Sequence, residues 1–165
     1  LVAVSDYTGQ PEMQGGLVKT LDFKIYLGLL AEPGNKSHRD DVKAAGGVFF
    51  DMVVVNLYPF SEMAGKANTT LEDCRSHIDI GGPCILRASA KNFLRVLPVC
   101  DPADYSPVAD SIRSHNGGSA FSLRHEMAKK AFRHTAEYDT AISEYLTGTD
   151  NSDFSCYAVT GEALQ

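Results

Sequence analysis

The sequence predicts an α/β protein with a mostly parallel sheet and a long helix near its end, and three observations carry that prediction. Residues 48–58, Val-Phe-Phe-Asp-Met-Val-Val-Val-Asn-Leu-Tyr, form a nearly continuous β-branched and aromatic run, as a strand buried on both faces requires. Strand-like and helix-like stretches alternate along the chain, the pattern of parallel strands joined by crossover helices. Residues 122–146 hold neither Gly nor Pro, and Leu123, Met127, Ala131, Phe132, Tyr138, Ile142 and Tyr145 recur mainly at three- and four-residue steps.

Taken in order, Leu1-Val2-Ala3-Val4 reads as a short strand, residues 5–9 as a turn and residues 10–16 as loop. Residues 27–31 read as a second strand. Asn35 or Ser37 caps a helix through Ala45, with Gly46-Gly47 ending it. The strand 48–58 stops at Pro59, which places Asn56 and Tyr58 at its carboxyl end, where open parallel sheets bind ligands. A core tyrosine with a satisfied hydroxyl is the plain alternative for Tyr58. Thr69 or Thr70 caps a helix over 71–77.

Then comes His77-Ile78-Asp79-Ile80-Gly81-Gly82-Pro83, a loop that carries an acid and turns on two glycines into a helix, with Pro83 suited to the first helical position. N–H groups around Gly81 and Gly82 would point outward at that helix N-terminus, although Gly-Gly-Pro is also ordinary punctuation. Lys91 lies two to three turns into the helix, so Asp79 and Lys91 share a cleft only if the fold brings the helix end back. Residues 95–100 read as a strand in which Pro98 marks an edge, followed by a turn, a helix to about residue 113 and a loop at 115–118. His134, on the long helix, reads as structural or solvent-facing.

The composition is that of one globular domain: 165 residues, 44% hydrophobic and 22% charged. We take residues 1–150 as the domain and 151–165 as a tail. The net charge of −6 and the lack of a basic stripe argue against nucleic acid as the main partner. Cysteines at 74, 84, 100 and 156 form no Cys-x-x-Cys pair and share no ligand spacing with the five histidines, which fits reduced thiols in a cytoplasmic protein and no metal site. No apolar run approaches the roughly 18 residues of a membrane span.

Four separate strings resemble one family. They are Thr8-Gly9-x-Pro11-Glu12-Met13-x-Gly15-Gly16-x-Val18-Lys19-Thr20-Leu21; Asn56-Leu57-Tyr58-Pro59-Phe60; Ile78-Asp79-Ile80-Gly81-Gly82 with Leu86-Arg87-Ala88-Ser89-Ala90-Lys91-Asn92; and Ala131-Phe132-x-His134-Thr135-Ala136-x-Tyr138-Asp139-x-Ala141-Ile142. In that order and spacing they are similar to the inosine monophosphate (IMP) cyclohydrolase domain of the bifunctional purine enzyme that also carries a transformylase. The resemblance implies a methylglyoxal-synthase-like fold, a Rossmann-like sheet with helices on both faces. By the same alignment roughly the first third of the family domain is missing, including its first strand and Gly-rich phosphate loops. Val4-Ser5-Asp6-Tyr7-Thr8-Gly9 is similar to the family's N-terminal phosphate turn, but the Pro-Glu-Met and Val-Lys-Thr-Leu strings fix the later alignment.

The implied reaction is dehydrating ring closure of formamidoimidazole carboxamide ribotide to inosine monophosphate, with no metal or organic cofactor. Carried over position by position, Lys19, Tyr58, Asp79 and Lys91 are the implied catalytic residues, and Thr20, Asn56, Ile80 and Gly81 the implied substrate contacts. The resemblance implies a homodimer, and a separate transformylase is the further partner it suggests, since the chain carries no recognisable transformylase domain of its own. The chain departs from the family's Gly-Arg-Val-Lys-Thr-Leu-His-Pro at Leu17, Asp22 and Phe23, and Tyr26-Leu27 replaces a His-Gly-type pair. Losing a cation and gaining Asp22 makes the region less attractive to a phosphorylated anion. A non-catalytic metabolite-binding or partner-docking domain of the same fold is the alternative, whereas the Asn-Leu-Tyr-Pro-Phe and Ile-Asp-Ile-Gly-Gly strings argue against a methylglyoxal-synthase-type lyase.

Overall fold

The computed structural model of the protein describes residues 1–11, 13 and 20–149. The elements are α1 (Val4–Thr8), α2 (Phe23–Leu30), α3 (Lys36–Ala44), β1 (Met52–Val54), α4 (Phe60–Ala64), α5 (Leu71–Ser76), α6 (Gly81–Lys91), β2 (Leu97–Val99), α7 (Tyr105–Ser114) and α8 (Phe121–Gly148), with a 3-10 turn at Pro102–Asp104. The chain divides into two compact units, Leu1–Tyr58 with Asp79–Ala136, and Pro59–Ile78 with the described part of Glu137–Gln165.

In the first unit β1 and β2 pair in parallel, Met52 opposite Leu97, Val53 opposite Pro98 and Val54 opposite Val99. Helices cover both faces of β2. Val96 packs with Ile25 and Leu29 of α2, Val53 and Ala88 of α6. On the other side Leu97 and Val99 pack with Val108 of α7, flanked by Leu123 and Met127 of α8. Pro98 is accommodated because the ladder uses its neighbours: the Leu97 N–H donates to the Asp51 carbonyl and the Val55 N–H to the Val99 carbonyl, so the missing N–H of Pro98 falls on the edge away from β1.

The structure corrects several local expectations. The run predicted as a strand over 27–31 is α2. Its signal was Asp22, which caps the helix by accepting the Lys24 N–H at 2.8 Å, and the buried spacing of Ile25, Gly28 and Leu29 is helical. Val4–Thr8 is helical where a strand and a turn were expected, and it ends on Gly9 at φ +74°. The strand expected over 48–58 is only three residues long, because its first half has other partners: the Phe50 N–H donates to the Gly28 carbonyl at 3.1 Å and Arg95 takes the Phe50 carbonyl at 2.8 Å. The strand expected over 95–100 is likewise three residues, Leu97–Val99. Pro83 is the third residue of α6, still within the first turn whose N–H groups need no intrahelical partner. Asn35 and Thr70 are the caps of α3 and α5, the latter with Asp73 in a reciprocal capping box.

In the second unit Phe60 is 1% exposed and meets Tyr138 and Tyr145 edge-on, at 6.4 Å and 5.6 Å between ring centroids. The Tyr138 hydroxyl donates to the His77 carbonyl at 3.1 Å. Among the described residues, no helix is long and apolar enough to cross a membrane.

Arg95 fastens the end of α2 to the entry of β1. Its guanidinium donates to the carbonyls of Gly28 at 2.8 Å, Leu29 at 3.1 Å and Phe50 at 2.8 Å, so its loss strands polar groups in a mostly buried place. Arg95→Ala should lower the unfolding free energy by about 2–4 kcal/mol in urea titrations, and Arg95→Lys, with no planar fork, should recover only part of it.

A second polar cluster ties α8 to the end of β2. The Lys130 ammonium lies 2.7 Å from both the Asp101 and the Asp104 carboxylates. Hydrogen bonds from Lys130 and then from the Ala103 N–H hold the Asp101 carboxyl below its ordinary value, and bonds to the two carboxylates hold Lys130 above its own. A depressed carboxyl stabilises the fold above its unfolded value and loses this as pH falls. A raised ammonium stabilises below its unfolded value and loses this as pH rises. The pair therefore acts between about pH 4 and pH 10. Denaturation midpoints of the protein and of Asp101→Asn should differ by a steady margin between about pH 5 and pH 9 and converge below about pH 4.

Candidate active site

The candidate residues gather where α6 begins beside the carboxyl end of β1. The Asp79 Oδ1 accepts the Gly82 N–H at 2.8 Å, so the carboxylate does the capping that the Ile80 side chain cannot. Its negative charge thereby stands at the positive end of α6. The approach is close: a Cβ at Gly82 would lie 2.4 Å from Asp79 Oδ2 and 2.7 Å from Leu57 Cδ2, so the ends of those two side chains would have to shift. A Cβ at Gly81 would lie 2.4 Å from Thr20 Oγ1. The double glycine thus lets three separate segments, at Thr20, Leu57 and Asp79, converge on one helix turn.

Asn56 and Tyr58 flank Leu57 just past β1, and both are exposed. The Asn56 amide meets a residue that sequence reasoning passed over. Its Nδ2 lies 2.8 Å and its Oδ1 3.1 Å from the hydroxyl of Tyr105, the first residue of α7. The available signal was position: Tyr105 follows the turn at the carboxyl end of β2, as Asn56 follows β1. Ile80 is 57% exposed, its backbone at the N-cap of α6.

Two candidates remain. Lys19 lies outside the described residues. Lys91 is exposed at the last position of α6, roughly 15 Å from Gly81 at a rise of about 1.5 Å per residue. The helix therefore carries Asp79 and Lys91 apart instead of bringing them together.

Of the departures from the family pattern, Leu17 lies outside the described residues, and Asp22, Phe23 and Tyr26 have local explanations. Asp22 is the N-cap of α2, its charge placed at that helix's positive end, and Phe23 opens the helix. Tyr26 packs against the core of Ile25, Leu29 and Val53, and burial, then the neighbouring Cys84 thiol of α6, pushes its hydroxyl up to about 12.

The tightness at Gly82 has a measurable consequence. Gly82→Ala should cost about 1–3 kcal/mol in thermal or urea unfolding. Gly34→Ala, where a Cβ would meet nothing within 4 Å, should stay within about 0.5 kcal/mol of the parent.

The chain is similar to proteins of one family. The family model described as the AICARFT/IMPCHase bienzyme matches residues 89–165, a span that includes Lys91 and the stretch after Asp150. The bifunctional purine biosynthesis protein PurH of a Cyanothece species is 46% identical over 152 residues, 92% of this chain and 30% of its own length. PurH of Bacillus subtilis is 46% identical over 147 residues, 89% of this chain and 28% of its own. PurH of Neisseria meningitidis is 43% identical over 162 residues, 98% and 31%. The chain thus spans about 30% of the length of these curated relatives. A solved structure titled the crystal structure of ForH superimposes with a TM-score of 0.71 at 33% identity, covering 87% of this chain and 74% of that one.

Proposed function

Because this chain belongs to the AICARFT/IMPCHase bienzyme family, we propose that it closes the second purine ring, converting formamidoimidazole carboxamide ribotide to inosine monophosphate. The observation that supports this most is the meeting of Asp79, Gly81, Gly82 and Thr20 at the start of α6, next to Asn56 and Tyr58.

The carboxamide nitrogen of the ribotide attacks its own formyl carbon. The carboxamide nitrogen gives up one proton and the formamido nitrogen another, the formyl oxygen takes up both and leaves as water, and a double bond between the formyl carbon and the formamido nitrogen completes the ring. An amide nitrogen is a poor nucleophile, so a fixed acceptor must draw on its N–H and the two groups must be held at near-attack distance. Asp79, itself pinned by Gly82, is that acceptor. Asn56 and the backbone around Ile80 and Gly81 hold the base, with Thr20 beside Gly81. Tyr58 and Lys19 polarise the reacting groups. Lys91 would act on the departing formyl oxygen only from the far end of α6, so the reading rests the chemistry on Asp79. The same reading makes the chain part of a cytoplasmic homodimer, its substrate supplied by a transformylase.

The test is a cyclisation assay on the full chain, supplying the formamido ribotide and following inosine monophosphate by ultraviolet absorbance. Turnover well above the uncatalysed rate is expected, and Asp79→Asn should lower it by roughly 10²- to 10⁴-fold with an unchanged circular dichroism spectrum. No turnover from folded protein would overturn the reading.

A further inference from the structure

We propose that Tyr105 is a positioning residue of this site, setting the orientation in which Asn56 presents its amide to the ligand. The inference rests on the cyclohydrolase reading and deepens it.

An asparagine amide carries an acceptor at one end and two donor hydrogens at the other, and its χ2 rotation is soft, so an exposed Asn offers a ligand no fixed pattern. Asn56 is exposed just past the end of β1. Its amide nevertheless has a partner, since the Tyr105 hydroxyl lies within hydrogen-bonding distance of both its ends, 2.8 Å from Nδ2 and 3.1 Å from Oδ1. The hydroxyl can accept from Nδ2 or donate to Oδ1, and in either state it holds the plane of the amide.

Tyr105 is well placed to do this. It begins α7 directly after the Pro102–Asp104 turn, whose Asp101 cap accepts the Ala103 N–H at 2.8 Å. That turn is fastened to α8 through the contacts of Asp101 and Asp104 with Lys130. The phenol therefore projects from an anchored element, whereas Asn56 stands on a segment beyond the ladder.

With the hydroxyl across one edge, the amide keeps a second N–H and a second lone pair. These point to opposite flanks of the amide, so a ligand meets one of them at a time, as the carbonyl oxygen or the N–H of the ribotide carboxamide or of the ring amide it becomes would. The match is made in the ground state and the product alike, so losing the hydroxyl should weaken binding more than it slows the chemical step.

The experiment compares the full chain with Tyr105→Phe, Asn56→Ala and the double variant in the cyclisation assay. The expected result is a KM for the formamido ribotide raised about tenfold in Tyr105→Phe, with kcat within about twofold, and no further rise when Tyr105→Phe is added to Asn56→Ala. An unchanged KM in Tyr105→Phe, with the parent chain active, would overturn this proposal alone. A tenfold rise that persists in the Asn56→Ala background would overturn it as well, because Tyr105 would then act without Asn56. A parent chain without turnover would remove the cyclohydrolase reading and this proposal together.

Discussion

Everything at the candidate site depends on one close approach, the contact of the first turn of α6 with the Asp79 carboxylate and Leu57. A methyl group at Gly82 would push aside the ends of both side chains. Because it is a glycine, its N–H can reach Asp79 Oδ1 at 2.8 Å while the helix lies against the segment that leaves β1. One contact therefore fixes two things at once: the direction of the carboxylate and the distance between α6 and the residues on either side of Leu57. A side chain in between would displace the acid or the Leu57 side chain even with every residue retained. Displacements of that size are what near-attack geometry tolerates least.

The support for this approach lies at the opposite ends of the same elements. Arg95 gathers the carbonyls of Gly28, Leu29 and Phe50, so the end of α2 and the entry to β1 are held by one guanidinium instead of by strand pairing. Gly28 permits this, since a Cβ there would lie 2.3 Å from the Val48 carbonyl oxygen. Arg124 does comparable work between α8 and the chain before β2, donating to the carbonyls of Phe93 at 3.1 Å and Leu94 at 3.0 Å. Side-chain donors thus satisfy backbone acceptors that a wider ladder would otherwise take, which is how a two-stranded sheet stands at the centre of so helical a unit.

What the sequence disclosed and what it hid divide along physical lines. Signals that act through the residue itself were legible: the Asn35 cap, the Thr70 cap, the period of α8 and the edge character of Pro98, whereas the strand expected to run to Pro59 ends at Val54. The apolar run around Leu27–Leu30 was not, because a short run of such residues suits a buried helix as well as a strand, and only the Asp22 cap distinguishes them. Long-range partners were also invisible. Nothing near Arg95 in the sequence announces three carbonyls more than forty residues away, and nothing near Asn56 announces Tyr105. At the site, the strings around Asn56 and Asp79 marked the right neighbourhood, but the distance to Lys91 follows from helix rise and from where α6 begins and ends.

That distance bears on how the work at the site is divided. Asp79 and Lys91 belong to one motif in the sequence but to opposite ends of α6 in space, so within one copy they do not form a pair that exchanges a proton directly. The first turn of α6 brings neutral polar groups to this place: the Gly82 N–H on Asp79 Oδ1, and the Thr20 hydroxyl beside Gly81. Such groups orient a substrate and steady a developing charge without giving up protons of their own. Ring closure between two groups of one molecule asks for this more than for a strong base, because the nucleophile and its target are already joined and the main barrier is to hold them face to face. A carboxylate pinned by its own helix is suited to that task, and it can be so pinned because the two residues that open the helix are glycines.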